Sequence, residues 1–225
     1  MKGQATMKIA RRARGLSRAA GVALALGWLA STGCEDDDGG GGGLGDGHDF
    51  GDNDPNKVVA LGDSITHGYL AGVTPYPAIL GSMIGKNVIN AGVPGNKSSD
   101  GLSRTGSLLS RHQPGYMIIL LGSNDAIHDQ PTETTINNLR AIAGAAQANK
   151  TIPILSTLPP MTGPHAAFQG SVDSRNRDIP ALAKELGVRC VRLDSAVKPG
   201  GLSSDGLHPN QAGQQQIATA YANVF

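Results

Sequence analysis

The chain of 225 residues is poor in the features that staple or stain many small proteins. It has two cysteines, which excludes a disulfide framework. It has three Phe, four Tyr and a single Trp, and that Trp lies in the first 33 residues, so a site built on aromatic stacking is not expected. Net charge is nearly absent, at +1, which excludes a charge-driven disordered chain. No basic stripe with interleaved aromatics is present, and nucleic-acid binding is not expected. Long apolar runs are missing too. The longest, residues 19–30, has 12 residues, whereas a membrane span needs about 20. No HExxH or EF-hand spacing occurs, and neither a metal nor a cofactor is expected. What remains is 39% hydrophobic and only 16% charged, enough for one soluble domain with a real core and too short for more than two.

Charge is strongly segregated along the chain. Residues 1–33 carry six Lys/Arg and no acid; residues 35–56 carry eight Asp/Glu and no base. From Lys57 onward 13 basic and 10 acidic residues leave +3. A basic start followed by a short apolar run reads as a signal peptide over residues 1–33. It runs into Ser31-Thr32-Gly33-Cys34, which resembles the bacterial lipobox, with Ser31 where that pattern prefers Leu. The resemblance implies cleavage before Cys34, lipidation of that residue and anchoring at the cell envelope. An ordinary secretory signal cut nearby, giving a secreted protein, is the alternative. Residues 34–56 are rich in Gly and Asp, have little to bury and are expected to form a flexible acidic tether. Cys190, in an alternating strand-like stretch, is expected to be a small core residue.

From Lys57 the pattern alternates strand and helix. Strands are expected at 57–61, 87–90, 116–121, 152–157 and 188–193. The first and third are continuous apolar runs, which suits strands covered on both faces. Helices are expected at 76–84, with Pro77 in the first turn, then 98–111 and 132–149. Two more are expected at 171–186, with a kink or restart at Pro180 and a cap at Gly187, and at 209–223. Such alternation predicts a doubly wound parallel sheet, with a site in the crevice beyond the C-terminal strand ends.

Chemistry-bearing residues collect at those ends. Gly62-Asp63-Ser64-Ile65-Thr66 follows the first strand and would set Ser64 beside free N–H groups at a helix start; Ser64 is a nucleophile there or simply a helix cap. Thr66 in place of a second Gly separates the motif from the G-x-S-x-G elbow. Gly92, after the second strand, can present its N–H to a substrate oxygen or serve a plain turn. Asn124, in Gly122-Ser123-Asn124-Asp125, can aim an amide at an oxyanion or form an Asx turn. In Asp205-Gly206-Leu207-His208-Pro209 the acid can orient the imidazole toward a serine; the plainer reading is a surface His beside a cap.

Together these four blocks, in this order, resemble the GDSL, or SGNH, hydrolases over residues 57–225. Asn90-Ala91-Gly92, Gly101-Leu102-Ser103-Arg104 and His112-Gln113-Pro114 are most similar to its lysophospholipase/arylesterase/thioesterase I group. The resemblance implies a three-layer αβα sandwich around a five-stranded parallel sheet of flavodoxin-like topology. It implies Ser64 as nucleophile, His208 as general base and Asp205 as its orienting acid. The oxyanion hole it implies uses the N–H groups of Ser64 and Gly92 with Asn124 Nδ2. The implied reaction is ester hydrolysis through an acyl-enzyme, by a monomer acting on a small ester or an acylated lipid or glycan. Polar, Gly/Pro-rich loops at 126–130 and 159–170 hint at short acyl groups. Carbohydrate O-deacetylation is an alternative. A flavodoxin-like cofactor binder would leave residues 205–209 unexplained, and a non-catalytic surface lipoprotein would leave an intact Ser64, Asn124, Asp205 and His208 without use. His67, three after Ser64, could line the site from the same turn or be structural; His112, His128 and His165 lie in helix-end or loop stretches, of which His128 or His165 could touch substrate, and His48 lies in the tether.

Overall fold

A computed structural model describes residues 43–225. Five strands form one sheet: β1 (Asp54–Gly62), β2 (Asn87–Gly92), β3 (Pro114–Leu120), β4 (Ile152–Ser156) and β5 (Arg189–Val191). Their order is β2-β1-β3-β4-β5 and every pairing is parallel. This is the doubly wound, flavodoxin-like arrangement. Val58 to Leu61 of β1 are fully buried, as is all of β3, because helices cover both faces.

The long helices are α2 (Tyr76–Ile84), α3 (Ser98–His112), α5 (Thr132–Ala148), α6 (Gln169–Leu186) and α8 (Gln211–Ala222). Three short ones, α1 (Ser64–His67), α4 (Ser123–Ile127) and α7 (Leu193–Ala196), follow strands β1, β3 and β5. α3, α5 and α6 pack side by side, and α2 packs on α8. Tyr76 of α2 stacks on Tyr221 of α8 at 5.3 Å, and the Tyr221 hydroxyl reaches Ser156 Oγ at 2.8 Å. The last helix is thereby fastened to the sheet, which fixes the loop that precedes it.

The structure departs from expectation in two places. α6 runs through Pro180 as one element, without a restart. Val172, Arg175, Ile179, Leu182 and Ala183 all face the interior, so burial on both sides of Pro180 carries the helix past it. Residues 43–56 are not a free tether. Leu44 and Phe50 pack against the core, the Tyr116 hydroxyl donates to the Leu44 carbonyl at 2.7 Å, and Phe50 meets the Tyr116 ring edge-on at 5.5 Å. Asn53 Nδ2 donates to the Asn149 carbonyl, and β1 begins at Asp54. Two apolar side chains amid Gly and Asp suffice here because the N-terminal ends of β3 and β4 offer them a surface. Cys190, on β5, is half-buried and packs against the core, as expected. The signal peptide and Cys34 lie outside the described residues.

Candidate active site

β1 carries the chain to the C-terminal edge of the sheet, where Gly62 meets the start of α1. A Cβ on Gly62 would sit 2.0 Å from Thr66 Oγ1 and 3.0 Å from the Leu120 carbonyl, so only glycine lets the turn close. Asp63 caps α1 by accepting from the Ile65 N–H at 2.9 Å. Ser64 is the first residue of α1 and is 7% exposed. Its own N–H has no intrahelical partner to meet, as at any helix start.

The other side chain of the pair comes 144 residues later. His208 Nε2 accepts from Ser64 Oγ at 3.0 Å, and His208 Nδ1 donates to Asp205 Oδ2 at 2.6 Å. Asp205 Oδ1 collects three further donors: Ser203 Oγ at 2.7 Å, Leu207 N at 2.8 Å and His208 N at 2.9 Å. Partial burial pushes the Asp205 carboxyl up, but the bonds from His208, the two backbone N–H groups and Ser203 outweigh it. They hold the group well below the usual carboxylate range. It is therefore an anion at neutral pH and keeps the imidazole in the tautomer that leaves Nε2 free to accept.

The loop bearing this pair is held on several sides. Leu202 and Pro209 form an antiparallel bridge, and Ser203 N donates to the His208 carbonyl at 2.8 Å. Gly206 sits at φ 74, with the Thr162 carbonyl where a Cβ would be. Thr162 N donates to the Gly206 carbonyl at 2.8 Å, and His165 Nδ1 donates to the Asp205 carbonyl at 2.7 Å. The segment at 157–168 thus braces the acid–imidazole loop.

Opposite lies a polar rim. Asn124, second residue of α4, donates from Nδ2 to the Asn96 carbonyl at 2.9 Å and lies 3.4 Å from Asp63 Oδ2. Gly92 departs from its expected role. Its N–H is already given to Asn90 Oδ1 at 2.9 Å. A Cβ there would lie 2.2 Å from the His67 nitrogen, so Gly92 serves the close approach of β2 to α1. Three residues on, Gly95 is in a turn closed by Asn96 N to the Val93 carbonyl. It has φ 79, open space at its Cα and no partner for its N–H among the described residues. Sequence reasoning passed over Gly95; Pro94-Gly95 as a turn pair was the available signal.

Two arginines support this rim. Arg104 of α3 bonds the Gly62 carbonyl (2.8 Å), the Ala91 carbonyl (2.7 Å) and Asn96 Oδ1 (2.9 Å), tying two strand ends to the turn. Arg175 of α6 is fully buried and bonds Thr135 Oγ1, the Gln130 carbonyl and both Ser171 oxygens. Thr135 Oγ1 in turn donates to Asp125, which also accepts from Ser98 N and Ser98 Oγ. Asp125 stands next to Asn124, so this network fixes the start of α4. His128 Nδ1 adds a bond to the Asn124 carbonyl at 2.8 Å.

Asp63 is fully buried. Desolvation and the nearby Asp125 charge push its carboxyl up to about 7, against the lowering effect of the Ile65 N–H. Among the described residues no group of His, Cys, Asp or Glu is arranged to hold a metal. None of their helices is long and apolar enough to cross a membrane.

Residues 60–216 match the model of the GDSL-like lipase/acylhydrolase family. The chain is 32% identical over 173 residues to the thioesterase 1/protease 1/lysophospholipase L1 of Escherichia coli strain K12, covering 72% of this chain and 80% of that protein. It is 27% identical over 173 residues to an arylesterase of Vibrio mimicus, covering 72% and 84%. A putative lipolytic protein of the G-D-S-L family from Desulfitobacterium hafniense superposes with a TM-score of 0.69 at 30% identity, over 76% of this chain and 99% of that one.

Proposed function

From its membership of the GDSL-like lipase/acylhydrolase family, which makes this chain a serine ester hydrolase, we propose that Ser64, His208 and Asp205 carry the reaction and that its esters have short acyl groups. The observation that carries the assignment is the unbroken chain of hydrogen bonds from Ser64 Oγ through His208 to Asp205, at 3.0 and 2.6 Å.

His208 Nε2 takes the Ser64 proton as Oγ attacks the ester carbonyl carbon. The carbonyl π pair moves to oxygen, giving a tetrahedral oxyanion. We assign its donors as the Ser64 N–H, Asn124 Nδ2 and the Gly95 N–H. The Gly95 assignment rests on its unpaired donor and on the bond between Asn124 and the next residue's carbonyl. The intermediate collapses, the ester C–O bond breaks and His208 Nε2–H gives its proton to the leaving alkoxide. Water, deprotonated by the same nitrogen, then attacks the acyl-enzyme and releases the acid and Ser64. Asp205 stays ionised throughout and balances the transient imidazolium.

The reading of short acyl groups is supported by the polar loops bordering the site and by the arylesterase among the relatives. Two surface depressions lie elsewhere, one between α5 and α6 and one beside α8, and neither includes Ser64 or His208. A chain-length series of p-nitrophenyl esters tests it, run beside acetylated xylan and a lysophospholipid. Turnover is expected to be highest at acetate to butyrate; highest turnover on long acyl chains or on the lysophospholipid would replace this substrate class, and highest turnover on xylan would keep the short acyl group with a carbohydrate as the alcohol.

We further place the enzyme at the cell envelope as a monomer anchored through a lipidated Cys34, on the strength of the basic start, the short apolar run and the small residues before that cysteine. The anchored form should incorporate radioactive palmitate. An unlabelled mature protein would instead make it secreted.

A further inference from the structure

Among the described residues only three large hydrophobics are strongly exposed, and Tyr69 leads them at 60%. It is also beside the site. Its ring centroid lies 5.0 Å from that of the His208 imidazole, with the planes tilted by 31°. Among the described residues no group takes up its hydroxyl. An aromatic ring left in water while leaning on the general base is out of keeping with a chain so poor in aromatics.

The ring is held there by its segment. α1 ends at Gly68 in the left-handed region (φ 77), where Pro75 would collide with any Cβ. Gly68 N and Tyr69 N both donate to the Ser64 carbonyl, at 3.1 and 3.2 Å. At the far end of the loop, Thr74 N donates to Gln211 Oε1 (2.9 Å) and Tyr76 N to Gln214 Oε1 (2.8 Å). Those glutamines open α8, directly after His208 and Pro209. Tyr69 is thus tied to the nucleophile at one end of its loop and, at the other, to the helix that follows the imidazole. Such bracing costs little entropy on binding, so a ligand can use the ring as a fixed wall.

The reaction itself says which half of the ester meets that wall. In acylation His208 Nε2–H must reach the leaving oxygen, within about 3 Å. The first carbons of the alcohol therefore lie beside the imidazole, and the acyl carbon lies over Ser64 toward Asn124 and Gly95. We propose that Tyr69 is a specificity-determining residue for the alcohol half of the ester, its exposed ring forming a stacking wall for aryl and other flat, apolar alcohols. The proposal rests on the roles given above to Ser64 and His208.

Acetate esters that differ only in the alcohol separate the possibilities, because phenyl, benzyl and methyl acetate all pass through one acetyl-enzyme. For each ester the variant is compared with the wild type, which cancels the intrinsic reactivity of the alcohol. Tyr69→Ala should lower kcat/KM for phenyl and benzyl acetate roughly tenfold, the scale of one lost aromatic contact with its burial. It should change methyl acetate less than twofold, and Tyr69→Phe should retain the aryl preference. The deacylation rate of the acetyl-enzyme, read after the p-nitrophenol burst, should be unchanged. Equal losses on all three esters with a shifted acid limb of the pH profile would mean that Tyr69 acts through His208, and would overturn the proposal. So would a changed acyl chain-length profile at constant alcohol, or no change at all. Thermal unfolding of Tyr69→Ala checks that the fold is intact. Failure of the underlying site shows separately: phenyl acetate turnover by Ser64→Ala equal to wild type would remove the reading before any Tyr69 variant is made.

Discussion

The buried carboxyl of Asp63 gives this protein a stability that depends on pH in an unusual direction. Asp63 is 1% exposed, and its carboxyl is pushed from 3.8 up to about 7, chiefly by desolvation. In the unfolded chain the same group titrates near 3.8. Between those values the folded state holds a proton that the unfolded state has released, so stability falls as pH rises. The neutral form is fully favourable below about 4, and the cost is complete above about 7. A shift of about three units at 1.36 kcal/mol each gives a loss of about 4 kcal/mol across the window. Asp205 works in the opposite sense, since its folded value is depressed; its contribution is present above the usual carboxylate range and lost below it. The two effects therefore occupy different pH ranges. Asp63→Asn isolates the first. An Asn Oδ1 can still accept from the Ile65 N–H, so the cap on α1 survives, while its amide nitrogen faces that of Asn124 at a fixed cost. Urea unfolding of both proteins between pH 4 and 8 gives the difference in stability at each pH, and other titrations cancel in it. The wild type should lose roughly 4 kcal/mol relative to Asp63→Asn over this range. Parallel profiles for the two proteins would refute the argument, because they would mean that Asp63 ionises in its folded site as readily as in water.

Other expectations follow from individual contacts. Ser64→Ala should remove roughly 10³-fold or more of the p-nitrophenyl acetate turnover with the fold intact, and undiminished turnover would overturn the nucleophile. Asn124→Ala should lower kcat by about 10²–10³ while KM changes little, the pattern of a donor used mainly in the transition state; a rise in KM alone would assign it to ground-state binding. Arg175→Met should cost about 3 kcal/mol in urea unfolding, since it leaves one buried and three part-buried oxygen contacts without their donor, and a cost below about 0.5 kcal/mol would show those oxygens to be otherwise satisfied. Gly92→Ala should destabilise the fold, through the backbone of α1, more than it lowers kcat; a stable variant with lost kcat would restore Gly92 to the oxyanion hole.

Much of the fold was legible because periodicity and punctuation agreed. The apolar run before Gly62 and the run at 116–121 marked the central strands, and α2 spans 76–84 as read from Pro77 and the spacing that follows it. Pro180 was read as a break because local propensity disfavours it; burial along α6 overrode that preference. The Gly/Asp stretch was read as free chain because its composition is polar. Leu44 and Phe50 are only two residues, and nothing local says that the N-terminal ends of β3 and β4 await them.

The site divides in the same way. Ser64, Asp205 and His208 stood out because each lies in a short block whose neighbours are chemically telling. Gly92 and Gly95 could not be told apart along the chain, since which glycine has a free N–H depends on where Asn90 Oδ1 and the α1 backbone lie. Arg175 and Tyr69 gave no local sign at all, and Arg104 stood in a block of the resemblance that assigned it no role. Sequence alone determined the order of elements, the glycines that let them turn and the identity of the reacting groups, because these are properties of neighbours along the chain. Tertiary structure alone decided that residues 64 and 208 meet, which N–H groups remain unpaired and which face of Tyr69 is left in water. Those are matters of distance between segments, and distance in space is set by packing around the sheet.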